Sequence, residues 1–149
     1  MNTIHSLIRR LYHSTIPHRA AVPLVALAWS SPGYGGAIHY AALAGNLKNV
    51  QMLVKANPGL VFSKDNKGNA PLDLATQNGH MDIDVLLLTS KAEFNAKSNY
   101  GYTPLLEAAR HNHKDMVNLH LANGADVNAR KNSGQSDTRI AELGVIPNN

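Results

Sequence analysis

The side chains best equipped for chemistry in this 149-residue chain gather between residues 99 and 120. His111, Asn112, His113 and His120 lie close together in sequence, and neutral imidazole is the commonest protein ligand for zinc and related metals. That set is incomplete. No carboxylate converges with it, and the absence of cysteine rules out thiolate zinc sites, iron–sulfur clusters and disulfides. No metal and no cofactor is therefore expected, and the histidines read as surface and core residues. The stretch GYGG (33–36) lacks the Gly-Lys-Ser/Thr that completes a phosphate loop and reads as a flexible junction. Neither G-x-S-x-G, H-E-x-x-H nor a pair of carboxylates is present. Catalysis has no visible seat, and no small-molecule substrate is implied. Tyr100, Tyr102 and Arg110 offer something different: two amphipathic rings and a forked cation, the residue types that most often anchor interfaces.

The elements that position these residues are legible in NYGYTPLLEAARHN (99–112). Thr103 suits an N-cap, because its hydroxyl can accept from unsatisfied backbone N–H groups of the first turn. Pro104 then falls at the first helical position, where its missing N–H costs nothing. Adjacent alanines follow, and Asn112 can end the helix.

The same stretch recurs. NKGNAPLDLATQNGH (66–80) aligns with NYGYTPLLEAARHNH (99–113) without a gap. Gly68, Gly101 and Gly134 are spaced by 33 residues, as are Ala75, Ala108 and Ala141, and Asn66, Asn99 and Asn132. Upstream, GAIHYAALAGN (36–46) matches at a spacing of 34, with the extra residue near ANPGL (56–60). Each unit reads as a glycine turn, a short helix near 71–78 or 104–111 with small side chains, a break, and a second helix. Apolar residues recur on the second helices at Ile83, Leu86, Leu87 and Leu88, then at Met116, Val117, Leu119 and Leu121. One pair cannot bury its apolar face alone; stacked pairs form one core.

Residues 101–129, GYTPLLEAARHNHKDMVNLHLANGADVNA, follow the pattern G-x-TPLH-x-AA-xx-GH-xx-IV-xx-LL-xx-GADVNA nearly throughout. The chain thus resembles the ankyrin repeat family, with three recognisable repeats and an incomplete fourth unit from Gly134 onward. The resemblance implies an all-α solenoid of stacked helix-turn-helix units with short β-hairpin tips. Its departures are specific. The family's first-helix His, which ties that helix to the preceding loop, survives as His39 but is replaced by Asp73 and Leu106. Asn49, Asp84 and His120 stand where the pattern has buried Ile, Val and Leu. Each then needs a partner or exposure, since burying an unpaired polar group costs about 1–3 kcal/mol. Glu142 in the last unit suits a polar terminal cap.

The resemblance further implies a non-catalytic module that binds a protein through its concave face and turn tips. Carried onto this chain, the family's contact positions are Asn66, Lys67, Asn69, Gln77 and Asn78 in one unit. The next supplies Asn99, Tyr100, Tyr102, Arg110 and His111, and the last Ser133 and Gln135. The molecule is expected to act as a monomer.

Residues 34–149 are expected to form the array, leaving 1–33 as a basic N-terminal segment. No Asp or Glu precedes Asp65, so residues 1–64 carry six unopposed basic side chains, while eight basic residues meet ten acidic ones beyond. Three roles fit residues 1–33. With Ile4, Leu7, Ile8 and Leu11 on one helical face, they can cap the first repeat. Arg-rich and acid-free, they resemble a mitochondrial presequence; Ala20–Ala28 also reads as the apolar core of a secretory signal. An accessory role, in which this segment docks on an anionic membrane or nucleic acid, is the rival to protein binding. The lack of cysteine and of glycosylation sequons favours an intracellular protein, cytoplasmic first, with mitochondria or delivery into a host cell as alternatives.

Overall fold

A computed structural model of the chain describes residues 36–134. The N-terminal segment 1–33, Gln135, and the fourth-unit residues Ala141 and Glu142 lie outside them. The described residues form three helix pairs. The first is α1 (Ala37–Leu43) and α2 (Leu47–Ala56), followed by a 3₁₀ turn (Pro58–Phe62). The second is α3 (Pro71–Gln77) and α4 (Met81–Thr89), and the third α5 (Pro104–Arg110) and α6 (Lys114–Ala122). The inner helices α1, α3 and α5 stack side by side, and α2 packs on α4 behind them.

Small side chains make that stacking possible. Ala41, Ala42, Ala75, Thr76, Ala108 and Ala109 are all buried between inner helices. The inner helices begin through three chemistries at equivalent positions. In α5 the Thr103 hydroxyl accepts from the Leu106 N–H at 3.3 Å. In α3, where Ala70 cannot cap, the Asp73 carboxylate reaches back to the Ala70 N–H at 2.7 Å. In α1, His39 Nδ1 accepts from the Gly36 N–H at 3.2 Å and its Nε2 meets the Ser63 carbonyl at 3.2 Å. His39 therefore holds its helix to the connection that follows it as well as to the residue before it.

The turn tips explain the 33-residue register. Gly68 and Gly101 adopt positive φ (74° and 83°), and a Cβ on Gly101 would lie 2.5 Å from the backbone nitrogen of Asn132. That closeness lets asparagines stitch one tip to the next. Asn99 Nδ2 donates to the Asn66 carbonyl at 3.2 Å, and Asn132 Nδ2 to the Asn99 carbonyl at 2.9 Å. Hairpin-like bonds close each tip, such as Ser98 N–H to the Tyr102 carbonyl at 2.9 Å, but no strand forms among the described residues. One backbone bond also joins each pair of tips, Asn99 N–H to the Lys67 carbonyl at 2.9 Å and Asn132 N–H to the Tyr100 carbonyl at 3.1 Å, too few for strand pairing between them. The expected hairpin tips stay turns.

Histidines tie successive repeats at the C-terminal ends of the inner helices. His80 Nε2 meets the Leu43 carbonyl at 3.1 Å, and His113 Nε2 meets that of Gln77 at 3.2 Å. A Cβ on Gly79 would stand 2.9 Å from the His113 ring, so the glycine leaves room for the next repeat's imidazole.

The core divides. One apolar cluster joins repeats 1 and 2 through Ile38, Val50, Val61, Leu72, Ile83 and Leu87. A second, around Leu105, Leu106, Met116 and Val117, belongs to repeat 3. At the junction between repeats 2 and 3 stand three fully buried polar side chains, Thr76, Asp84 and His120.

Candidate functional site

A cleft of about 320 Å³ opens on the concave side between repeats 2 and 3. Two turn tips wall it: Asp65, Lys67 and Asn69 on one side, Ser98, Tyr100 and Tyr102 on the other. The inner helices supply its floor through Leu43, Leu74, Gln77, Glu107 and Arg110. These side chains converge because an inner helix follows directly on each tip, so one stacking step brings two tips and two helix faces together.

Of the residues marked in the sequence, Lys67, Asn69, Gln77, Tyr100, Tyr102 and Arg110 line this cleft. Asn99 directs its amide at the neighbouring tip, and Asn78 donates to the Leu74 carbonyl at 2.8 Å. His111 lies beside Glu107, with Nε2 3.5 Å from Oε2, and Asn66 and Ser133 are exposed at their tips. Sequence reasoning passed over Asp65, Ser98 and Glu107. The signal for Glu107 was a lone carboxylate between Leu106 and Ala108 on a short helix whose neighbours are all buried.

Tyr102 organises the basic side. The Arg110 guanidinium carbon stands 5.3 Å from its ring centroid and Lys131 Nζ 5.8 Å from it, both within cation–π range. Tyr100, on the opposite side of Gly101, is 64% exposed, which leaves its ring available to a partner.

Acidic groups stand in the cleft and beside it. Asp65 turns into its own tip: its carboxylate accepts from the Lys67 and Asn69 N–H groups at 2.8 Å and from Asn69 Nδ2 at 3.0 Å. Asp73, 2% exposed, has its pKa pushed up to about 7. Burial penalises its carboxylate most; the Ala70 N–H and Lys64, 3.9 Å away, oppose the shift, while Glu107 and Asp65 add to it. His39 is held below the usual imidazole range, again chiefly by burial.

Among the described residues, a cluster with the composition of a catalytic triad lies elsewhere and is closed to solvent. His120 Nε2 lies 2.8 Å from Asp84 Oδ2, and the Thr76 hydroxyl is 2.7 Å from Asp84 Oδ1 and 3.2 Å from the same His120 nitrogen. A proton relay needs nucleophile and carboxylate on opposite imidazole nitrogens. Here both meet Nε2, and no member is accessible, so the cluster is a structural tie between repeats. It also answers the sequence question about Asp84 and His120: each is the other's partner. Asn49, the third polar residue at an apolar position, is half-buried. Among the described residues no three metal-ligating side chains converge.

Compared with known families, the chain matches the model of ankyrin repeats in three copies across residues 38–131. No curated protein matches it.

Proposed function

The chain belongs to the ankyrin repeat family, whose repeats generally serve as protein–protein interaction modules, and from that premise we propose that it is a non-catalytic adaptor whose protein partner docks in the concave cleft between repeats 2 and 3. The observation that carries this is the convergence of Tyr100, Tyr102 and Arg110 with Lys67 and Gln77 around one opening. Rigid aromatic rings lose little conformational freedom on binding, and arginine adds a planar fork of donors; such groups supply most of an interface's energy.

The test is affinity capture from the native cell with wild-type bait and with Tyr100→Ala/Arg110→Ala bait, followed by calorimetry on the captured partner. The double substitution is expected to weaken binding by about 2–4 kcal/mol, the hot-spot range. Folding should change little, since both side chains are exposed. Equal affinity would place the partner on another surface. Binding that collapses between low and physiological salt, and that residues 1–33 alone reproduce, would favour an anchoring role for the basic segment instead.

A further inference from the structure

The inner helices begin through different chemistry, and the start of α3 depends on a carboxyl group that is almost out of reach of water. Asp73 is 2% exposed. Its Oδ2 accepts from the Ala70 N–H at 2.7 Å, and its Oδ1 is buried without a hydrogen-bond partner. The Lys64 ammonium lies 3.9 Å from Oδ2 on a side chain that is 38% exposed. A carboxylate held by one backbone donor, with its other oxygen empty, is poorly compensated for the water it has lost. A proton on Oδ1 removes the charge and leaves Oδ2 to accept from Ala70. Equivalent positions hold His39 in α1 and Leu106 in α5, so α3 is the inner helix whose start turns on a carboxyl.

Helix α3 packs against α1, α4, α5 and the 3₁₀ turn, and charged or titratable groups come from each side. From α1 comes His39, beside Lys64 and Asp65. The segment after the 3₁₀ turn supplies Lys64, which draws the Asp73 charge, and Asp65, which repels it. Glu107 of α5 repels it as well, with His111 Nε2 3.5 Å from that carboxylate. On the α4 side, Asp84 is occupied with Thr76 and His120. Burial outweighs all of these in favouring the neutral form.

What Asp73 holds is one wall of the cleft. Residues 65–69 form a closed turn, in which the Asp65 N–H donates to the Asn69 carbonyl and the Gly68 N–H to the Asp65 carbonyl, both at 2.9 Å. Ala70 joins that turn to α3, and Lys67 and Asn69 ride on it as wall residues. We propose that the Asp73 carboxyl is a proton-operated latch: protonated, it holds the 65–70 tip onto α3, and ionised, it lets the tip swing out so that water reaches the carboxylate. One wall of the cleft thus loosens as pH rises. On the reading of the cleft as the docking site, docking is tighter in mild acid than at neutral pH.

The experiment is residue-resolved amide hydrogen exchange of the full chain without a partner, from pH 5 to 8, so its outcome is independent of where a partner docks. Two amides report on the tip: Ala70, bonded to Asp73, and Asn99, whose N–H donates to the Lys67 carbonyl at 2.9 Å. Leu106 and Asn132, bonded to the Thr103 hydroxyl and the Tyr100 carbonyl, are the controls. After correction for intrinsic rates, protection at Ala70 and Asn99 is expected to fall about tenfold per pH unit between pH 5 and 7, one proton lost per opening, and to level off above about 7. The controls should hold their protection. Asp73→Asn keeps an acceptor for Ala70 and should abolish the slope. Neighbouring groups run the other way: protonating His39 loosens α1 in acid, and an ionised Asp65 accepts its three hydrogen bonds more strongly. Equal slopes at reporters and controls, no slope in the wild type, or a slope that survives Asp73→Asn would each overturn the latch. If Asp73→Asn does not fold, the contrast between reporters and controls in the wild type still decides.

Discussion

The junction between repeats 1 and 2 and that between repeats 2 and 3 address the same geometric problem with different chemistry. The first is apolar, Val50, Leu53 and Val61 meeting Leu72, Ile83 and Leu87 in one cluster. The second interrupts the core with Thr76, Asp84 and His120, all buried, where the family pattern has Ala, Val and Leu. An apolar junction tolerates any neighbour of suitable shape. A polar one is stable only when its match is present, because each member left alone is a desolvated group without a partner. The cleft lies at this second junction, one residue along α3 from Thr76, at Gln77. The tie that fixes repeat 3 against repeat 2 therefore also fixes the two walls of the cleft.

Breaking the polar tie should give the largest effect. Asp84→Ala removes the carboxylate beside buried His120, leaving it only the Thr76 hydroxyl, and is expected to cost about 3–5 kcal/mol, read from urea denaturation. Thr76→Ala/Asp84→Val/His120→Leu, which restores the family's apolar residues, should return stability to the wild-type level or above it. If Asp84→Ala costs under about 1 kcal/mol, the junction is not held in this way.

Equivalent helix starts in adjacent repeats should respond to pH with opposite slopes. Asp73 has a raised pKa, so its contribution is fully present below the unfolded value of 3.8 and is lost as pH rises through about 7. Its burial and the size of that shift set the loss at a few kcal/mol, and Asp73→Asn should flatten this part of the profile. His39 has a lowered pKa, so its contribution is present above 6.5 and is lost as pH falls through its folded value. Protonating Nδ1 would also remove the acceptor of the Gly36 N–H. Melting temperatures from pH 4 to 8, wild type against Asp73→Asn and His39→Gln, separate the two slopes.

The tips should give a smaller effect. Gly101→Ala places a side chain at positive φ and against Asn132, with an expected cost of about 2 kcal/mol. Asn132→Ala, which only removes the stitch, should cost about 1 kcal/mol. Lys91→Ala, exposed at the far end of an outer helix, should leave partner affinity unchanged in calorimetry.

What could be read from the sequence follows from what repetition encodes. The helix pairs were legible because Gly68, Gly101 and the paired alanines meet one stacking constraint several times over. Asp84 and His120 stood out as polar residues at apolar positions, yet their pairing spans 36 residues of sequence and no local pattern announces it. Lys67, Tyr102 and Arg110 were found through the family's contact positions. Glu107 was passed over because its neighbours read as core, and Lys131 because its role depends on reaching the ring of another repeat. The asparagines were visible as a register, but their work as stitches between tips appears only once the tips are side by side.

The most direct test of where the partner docks is hydrogen–deuterium exchange of the full chain, alone and saturated with the captured partner. Protection on binding should fall on residues 65–69 and 98–102 and on the solvent-facing ends of α3 and α5, with α4 and α6 exchanging as before. Protection confined to the outer helices, or absent throughout residues 36–134, would contradict docking in the concave cleft.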